Sequence, residues 1–159
     1  MVLQIKEESF VDCLGELKPI FEEHYKEISR HARKGIELEP DIERYAILEA
    51  NGELLFISFR FNNRIVGYIN CVVGRPLHYN VKQMMLDLIY VQKPYRGVLS
   101  LTDGQTAGDL LILKAKELGQ KRGAVCFTAG AKAKALPHFK KLLERHQFEL
   151  FEYHFIHWF

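Results

Sequence analysis

The sequence predicts a mixed α/β domain, and three observations support this expectation. The 159 residues are 48% apolar, which is enough to build one sizeable hydrophobic core. The hydrophobic period changes several times along the chain, from helical spacing to strand alternation and back. No repeat, low-complexity tract or linker interrupts the chain, so residues 1–159 are expected to form a single domain.

The order of the elements follows from these changes of period. Apolar residues at helical spacing predict an amphipathic helix over about residues 8–31, which Pro19 kinks or divides. A second, short helix is expected to start at Asp41. The remaining elements are predicted as strands over 53–61, 64–73 and 84–91, a helix over 106–121, a strand over 124–128, a helix over 136–145 and a strand over 148–159.

Local signals mark several of these boundaries. Asn62-Asn63 is typical of a tight turn, so the first two strands are expected to form a hairpin. Thr106 and Asp109 have the spacing of a capping box, and Gly123 is a typical residue after the end of a helix. The aromatic C-terminal segment is apolar on both faces of the predicted strand, which leaves core packing and a homodimer contact as alternatives.

Composition argues against several functional classes. A formal net charge of +2 lacks the basic stripe of a dedicated nucleic-acid-binding protein. The three cysteines are widely spaced and show no zinc-binding pattern, so no metal is expected. The N-terminus lacks a signal-peptide core, and no apolar run approaches the ~18 residues of a membrane span. We therefore expect a cytoplasmic protein that does not insert into a membrane.

Chemistry is expected in the stretch from Leu86 to Gly97, an apolar strand that carries one acid and leads into a basic turn. Asp87 shares strand parity with Met85 and Ile89, so it is expected among buried residues, where desolvation raises the pKa of a carboxyl toward the range of a general base. A bulge could instead turn it outward. Asp87 is thus either a base or a structural acid satisfied by a neighbouring Arg or His.

This stretch resembles the central motif of the GCN5-related N-acetyltransferases. Further motifs, in the same order, are similar to those of a phage-associated subgroup: His24–Ile28, Leu38–Asp41 with Tyr45, Val66–Tyr68 and Leu77–Tyr79. The resemblance implies a mixed sheet whose central strands splay apart to admit acetyl-CoA. It also implies transfer of the acetyl group to a primary amine by direct attack on the thioester.

The resemblance further implies roles for individual residues. Asp87 would deprotonate the amine, and the strand edge at Ile89, Tyr90 and Val91 would bind the pantetheine arm. His138 is the nearest candidate for protonating the thiolate, because residues 131–147 contain no tyrosine; water is the alternative. The diphosphate of coenzyme A would lie near Arg96, Gly97, Gly104 and Gly108.

The diphosphate loop departs from the family pattern. It is lengthened, and Asp103 stands where a basic or amide residue belongs. A carboxylate there would repel a diphosphate, so either Arg96 compensates or cofactor binding is weak.

An acceptor pocket is expected between the first helix and the strand hairpin, lined by His24, Glu27, Tyr45, His78 and Tyr79. An acid beside aromatic faces suits a cationic amine on a small molecule or a protein. A solvated helix edge is the alternative for His24 and Glu27. For the whole chain, the competing function is a non-catalytic module that binds a host protein, and a third is transfer of another acyl group or transfer to an alcohol.

Overall fold

The computed structural model describes residues 2–29, 31–97, 104–131 and 135–150. The elements in these ranges are β1 (Leu3–Glu7), α1 (Leu14–Ile28), α2 (Ile42–Ala50), β2 (Leu54–Phe61), β3 (Arg64–Gly74), β4 (Lys82–Val91), α3 (Ala107–Lys121), β5 (Ala124–Thr128) and α4 (Leu136–Arg145). The strands form one sheet in the order β1-β2-β3-β4-β5. Neighbours are antiparallel from β1 to β4, and β5 is parallel to β4. This mixed α/β architecture confirms the predicted fold class.

Helices cover both faces of the sheet and enclose two apolar cores. α1 and α2 pack on one face, where Leu17 and Phe21 meet Phe56 and Tyr68. α3 and α4 pack on the other face, and Leu111 of α3 lies in the core there. Because β2 and β3 lie between these two layers, their side chains are buried on both faces along most of their length.

Three predicted local structures are confirmed. Asn62 and Asn63 both adopt positive φ, at 46° and 66°, and join β2 to β3 as a tight hairpin. At the start of α3, the Thr106 side chain accepts a hydrogen bond from the Asp109 backbone, and the Asp109 carboxylate accepts one from Thr106 N at 2.8 Å. The second helix is capped by Asp41, as expected.

A β-bulge interrupts the pairing of β3 with β4. Asn70 pairs with Leu88 and Cys71 with Leu86, so Asp87 is the extra residue on β4. The bulge breaks the alternation of side chains along the strand: Asp87 and Leu88 both face the α1/α2 side, whereas Ile89 packs on the opposite core. The expectation that Asp87 is buried is therefore wrong, and the alternative, a bulge that turns it outward, is what the structure shows.

The sheet splits between β4 and β5. Their pairing runs from Lys82–Ala124 to Met85–Thr128, and β5 ends there while β4 continues to Val91. The edge of β4 from Leu86 onward is thus not paired with β5. This is the splayed arrangement that the sequence resemblance implies.

Three predicted boundaries need correction. Leu3–Glu7 forms β1, a strand that the sequence did not predict, because this edge strand has too few apolar residues to show clear alternation. α1 starts at Leu14 rather than near residue 8, because Glu49 accepts hydrogen bonds from Phe10 N and Ser9 and holds the preceding residues in a turn. Pro19 lies inside α1 and does not divide it. The predicted C-terminal strand falls mostly outside the described residues.

Candidate functional site

A groove with a volume of about 660 Å³ lies on the α1/α2 side of the sheet. Its walls come from the C-terminal half of α1, the segment 36–41, the start of α2, and the central parts of β3 and β4. The polar side chains that line it are His24, Tyr25, Ser29, His31, Glu37, Glu39, Asp41, Arg44, Tyr45, Tyr68 and Asp87. The bulge of β4 places Asp87 in this groove.

Asp87 is held in place by Tyr45. The Tyr45 hydroxyl donates a hydrogen bond of 2.7 Å to Asp87 Oδ2. Burial, together with the negative charge of Asp87, raises the pKa of Tyr45 far above its ordinary value, so the hydroxyl stays protonated and remains a donor. The bond engages only one carboxylate oxygen and leaves Oδ1 for a second partner.

His24 and Tyr68 form a second polar pair in the groove. His24 is 5% exposed, and its Nδ1 lies 2.7 Å from the Tyr68 hydroxyl. Burial raises the pKa of Tyr68 well above its ordinary value. Asn70, two residues further along β3, is fully buried; its amide lies close enough to the Tyr45 hydroxyl to lower the pKa of Tyr45, but neither polar atom makes a hydrogen bond of normal geometry to a described residue.

Glu27 and Arg96 lie outside the groove and contact each other. Arg96 Nη1 lies 2.7 Å from Glu27 Oε1, and Nη2 lies 2.9 Å from Oε2. The hydrogen bonds from Arg96 lower the pKa of Glu27 to about 2. Arg96 Nε donates to Val91 O at 2.6 Å, so this guanidinium is oriented by the protein itself.

Other predicted site residues are dispersed. His78 and Tyr79 lie in the exposed loop between β3 and β4 and do not line the groove; Tyr79 is 65% exposed. His138 is exposed in the first turn of α4, a helix that covers the opposite face of the sheet. The structure thus brings together His24, Tyr45 and Asp87 from the predicted set.

The split edge of β4 and the start of α3 are where the cofactor was expected. Ile89 and Val91 lie on β4 beyond the last residue paired with β5. Backbone groups on such an edge can hydrogen-bond the amides of a linear arm, so this region fits the pantetheine part of coenzyme A. Gly97 and Gly104 adopt positive φ at the two ends of the segment 98–103. Asp103 and the rest of that segment lie outside the described residues.

The start of α3 also has a packing role. A Cβ built on Gly108 would lie 3.1 Å from Leu142 Cδ2, so glycine permits α4 to approach closely. Although Asp109 is an acid in the first turn of this helix, Arg145 Nη2 and His146 Nε2 each lie 2.9 Å from its Oδ1. Burial raises the pKa of Asp109, but the hydrogen bonds from Thr106, Arg145 and His146 outweigh it and lower that pKa. Arg145 offsets the charge that would otherwise oppose an anion here.

Solved structures share this arrangement over almost the whole chain. An aminoglycoside acetyltransferase, HMB0005, from an uncultured soil metagenomic sample superposes with a TM-score of 0.74 at 19% identity, covering 98% of this chain and 97% of that one. The chain has the acetyltransferase fold. AAC(6')-Iy, in complex with the bisubstrate analog CoA-S-monomethyl-acetylneamine, superposes with a TM-score of 0.72 at 12% identity, covering 99% of this chain and 97% of that one. Ribosomal-protein-alanine N-acetyltransferase from Brucella melitensis biovar Abortus 2308 superposes with a TM-score of 0.71 at 14% identity, covering 99% of each chain.

The likeness to the acetyltransferase fold is structural. No protein-family model and no curated protein matches the sequence. No helix in the described ranges combines the length and apolarity that a membrane crossing needs.

Several polar residues in the groove of this acetyltransferase fold, and one beside it on β3, were not predicted as site residues. Tyr68 was noted only as part of a strand motif, and Glu37 and Glu39 flank the motif residue Leu38 without being singled out. Asn70 could have been singled out from the sequence. An amide within an otherwise apolar strand is costly to bury unless it has a hydrogen-bond partner or a functional role.

Proposed function

We propose that this protein transfers the acetyl group of acetyl-CoA to a primary amine by direct attack of the amine on the thioester. The observation that carries the proposal is the bulge of β4, which turns the Asp87 carboxylate into the groove beside the split of the sheet. Fold neighbours that are acetyltransferases support the same reaction class. The fold alone does not select a substrate.

Asp87 acts as the general base in this proposal. Its Oδ2 is fixed by Tyr45, so Oδ1 is available to accept a proton from a substrate ammonium. Tyr45 stays a donor and keeps the carboxylate oriented before and after the proton moves. The deprotonated amine then has the lone pair that attack requires.

The split edge of β4 and the turn after it would hold the cofactor, which supplies the acetyl thioester when bound. Ile89, Tyr90 and Val91 would bind the pantetheine amides, and the backbone N–H near Ile89 would polarise the thioester carbonyl. Gly97, Gly104 and Gly108 are the proposed residues for the diphosphate, and Arg96, which is paired with Glu27, borders that turn. His138 or water would return a proton to the departing thiolate.

The groove favours a cationic acceptor. Four of the described residues that line it are acidic, Glu37, Glu39, Asp41 and Asp87, whereas Arg44 is the one arginine. None of the ion pairs between described residues engages Glu37, Glu39 or Asp87. An ammonium group entering the groove would therefore gain carboxylate partners as well as the ring of Tyr45. We propose that His24 and Tyr45 contact a small-molecule or protein amine.

A non-catalytic binding module is the second candidate. Its specific support is that Arg96, which the sequence resemblance implied would contact the diphosphate, is already paired with Glu27. In that case the fold would bind a host protein, as the resemblance to a phage-associated subgroup suggests. Both candidates place the protein in the cytoplasm, and a homodimer through the C-terminal segment is compatible with either.

Calorimetric titration with acetyl-CoA, followed by a thiol-release assay over a panel of amines, tests the proposal. We expect saturable binding of acetyl-CoA and thiol release that depends on a cationic amine. Absence of binding would favour the binding module. If acetyl-CoA binds but thiol release is equally fast with amines of net negative and net positive charge, the assignment of the groove to a cationic acceptor is contradicted.

A further inference from the structure

Arg96 and Glu27 join the end of β4 to the last turn of α1. Two parallel hydrogen bonds of 2.7 and 2.9 Å connect the guanidinium to the carboxylate. This bidentate geometry fixes both side chains more firmly than a single contact would. The pair is also partly shielded from water, because the side chains of Arg96 and Glu27 are 40% and 21% exposed.

Tyr90 connects this ion pair to the interior. Its hydroxyl donates to Glu27 Oε2 at 3.0 Å, and Arg96 Cζ lies 5.0 Å from the centre of its ring. The same ring stacks on His24, with centroids 4.6 Å apart and planes inclined by 13°. Tyr90 thus contacts the ion pair through its hydroxyl and one face, and it contacts His24 through stacking.

His24 completes the connection to the groove. Glu27 and His24 are three residues apart on α1, so both side chains lie on the same side of the helix. The His24 imidazole, 2.7 Å from the Tyr68 hydroxyl, forms part of the groove wall together with Tyr68. A continuous series of contacts therefore runs from the turn after β4 to the acceptor side of the groove.

We propose that Glu27 and Arg96 are positioning residues, whose ion pair holds Tyr90 and thereby sets the place of the His24 imidazole in the acceptor groove. This inference rests on the proposed function, since it assigns the pair to acceptor binding. It differs from a direct role for either residue: Glu27 would not touch the amine, and Arg96 would not hold the diphosphate. Arg96 commits Nε, Nη1 and Nη2 to protein acceptors, which supports this reading.

Kinetics of Glu27→Gln and Arg96→Gln test the proposal. Each change removes the ion pair; glutamine keeps the shape of the side chain at residue 27 and leaves a shorter, neutral polar side chain at residue 96. We expect the KM for the amine to rise about fivefold or more in each variant, while kcat and the dissociation constant of coenzyme A stay within about twofold. The double variant should show no larger rise than either single variant, because the two residues act as one unit.

Glu117→Gln is the matched control. Glu117 also pairs with two cations, Lys114 and Lys121, but on the exposed surface of α3 away from the groove. Its substitution should leave the KM for the amine, kcat and the dissociation constant of coenzyme A unchanged. Tyr90→Phe provides a second variant in case the ion-pair variants fold poorly, because it removes the bond to Glu27 and keeps the stacked ring. It should raise the KM for the amine in the same direction by a smaller factor.

The outcomes separate this inference from the proposed function. An unchanged KM for the amine in both ion-pair variants overturns the positioning role, as does a tenfold loss of coenzyme A affinity confined to Arg96→Gln. If the wild type releases no thiol with any amine, the proposed function fails, and nitrogen NMR of the His24 imidazole decides the structural claim. Signals of His24 that shift in Glu27→Gln and Arg96→Gln, but not in Glu117→Gln, support the positioning; unshifted signals overturn it.

Discussion

The Tyr45 hydroxyl donates a 2.7 Å hydrogen bond to Asp87, across 42 residues of sequence. This bond ties α2 to the bulge of β4 and fixes the carboxylate in the groove. Because the raised pKa of Tyr45 keeps its hydroxyl protonated, Tyr45 remains a hydrogen-bond donor to the carboxylate. The orientation of the proposed base therefore depends on a residue of a different element.

Tyr45→Phe should lower kcat/KM for the amine about tenfold. The substitution removes the hydroxyl that orients Asp87, and a lost hydrogen bond to a charged group is worth about 1.5–3 kcal/mol, reduced here by exposure of the carboxylate. Initial rates of thiol release check this. The control is Tyr25→Phe. Tyr25 also lines the groove, but its hydroxyl donates a hydrogen bond to Ile36 O. Equal losses in both variants would argue against a specific role for Tyr45.

Glu27 should contribute acid-sensitive stability. Its pKa is about 2 in the folded protein against an ordinary value of 4.5, so the contribution is full above pH 4.5 and disappears as the pH falls toward 2. We expect the wild type to exceed Glu27→Gln by about 1 kcal/mol in free energy of unfolding at pH 7, a figure reduced for the partial exposure of Arg96. Denaturant unfolding at several pH values measures the difference. A difference that stays constant down to pH 3 would show that the ion pair is not its source.

Asn70→Leu should stabilise the protein. Asn70 is fully buried, and its side-chain amide makes no hydrogen bond of normal geometry to a described residue, so its burial has a desolvation cost that is not offset. Leucine of similar size removes that cost and should raise the free energy of unfolding by about 1 kcal/mol. Asn70→Asp, by burying a carboxylate, should destabilise strongly. A loss of stability in Asn70→Leu would mean that an ordered water satisfies the amide.

Gly119→Ala should destabilise by about 1–3 kcal/mol through overpacking. A Cβ there would lie 2.6 Å from Met84 Cε, and Met84 is only 2% exposed, so the thioether must move within the packed core between α3 and β4. Gly15→Ala in α1 is the matched control, because no atom lies within 4 Å of the new Cβ. It should leave stability unchanged or raise it slightly. Thermal unfolding of both variants distinguishes the two cases.

Elements with local signals were predictable from the sequence. The Asn62-Asn63 hairpin was found because asparagine tolerates the positive φ that the turn requires. α3 was found because its capping box is formed by residues three apart in sequence. In both cases the residues that determine the structure are close neighbours in the chain.

Features set by tertiary pairing were not predictable. The orientation of Asp87 depends on which residues of β3 pair with Leu86 and Leu88. This register cannot be inferred from the sequence of β4 alone. The Glu27–Arg96 pair joins residues 69 apart, so sequence spacing could suggest a substrate role for Glu27 but not its actual partner. The groove residues Glu37 and Glu39 lie in a segment without helix or strand, where periodicity gives no orientation.

The measurement that tests the account most directly compares Asp87→Asn with the wild type in acetyl transfer and in coenzyme A binding. Asparagine keeps the shape of the side chain and removes its basicity. We expect turnover with a cationic amine to fall about 100-fold to 10,000-fold, while calorimetry gives the same coenzyme A affinity within about twofold. A folded Asp87→Asn variant that turns over at the wild-type rate would contradict the assignment of Asp87 as the base.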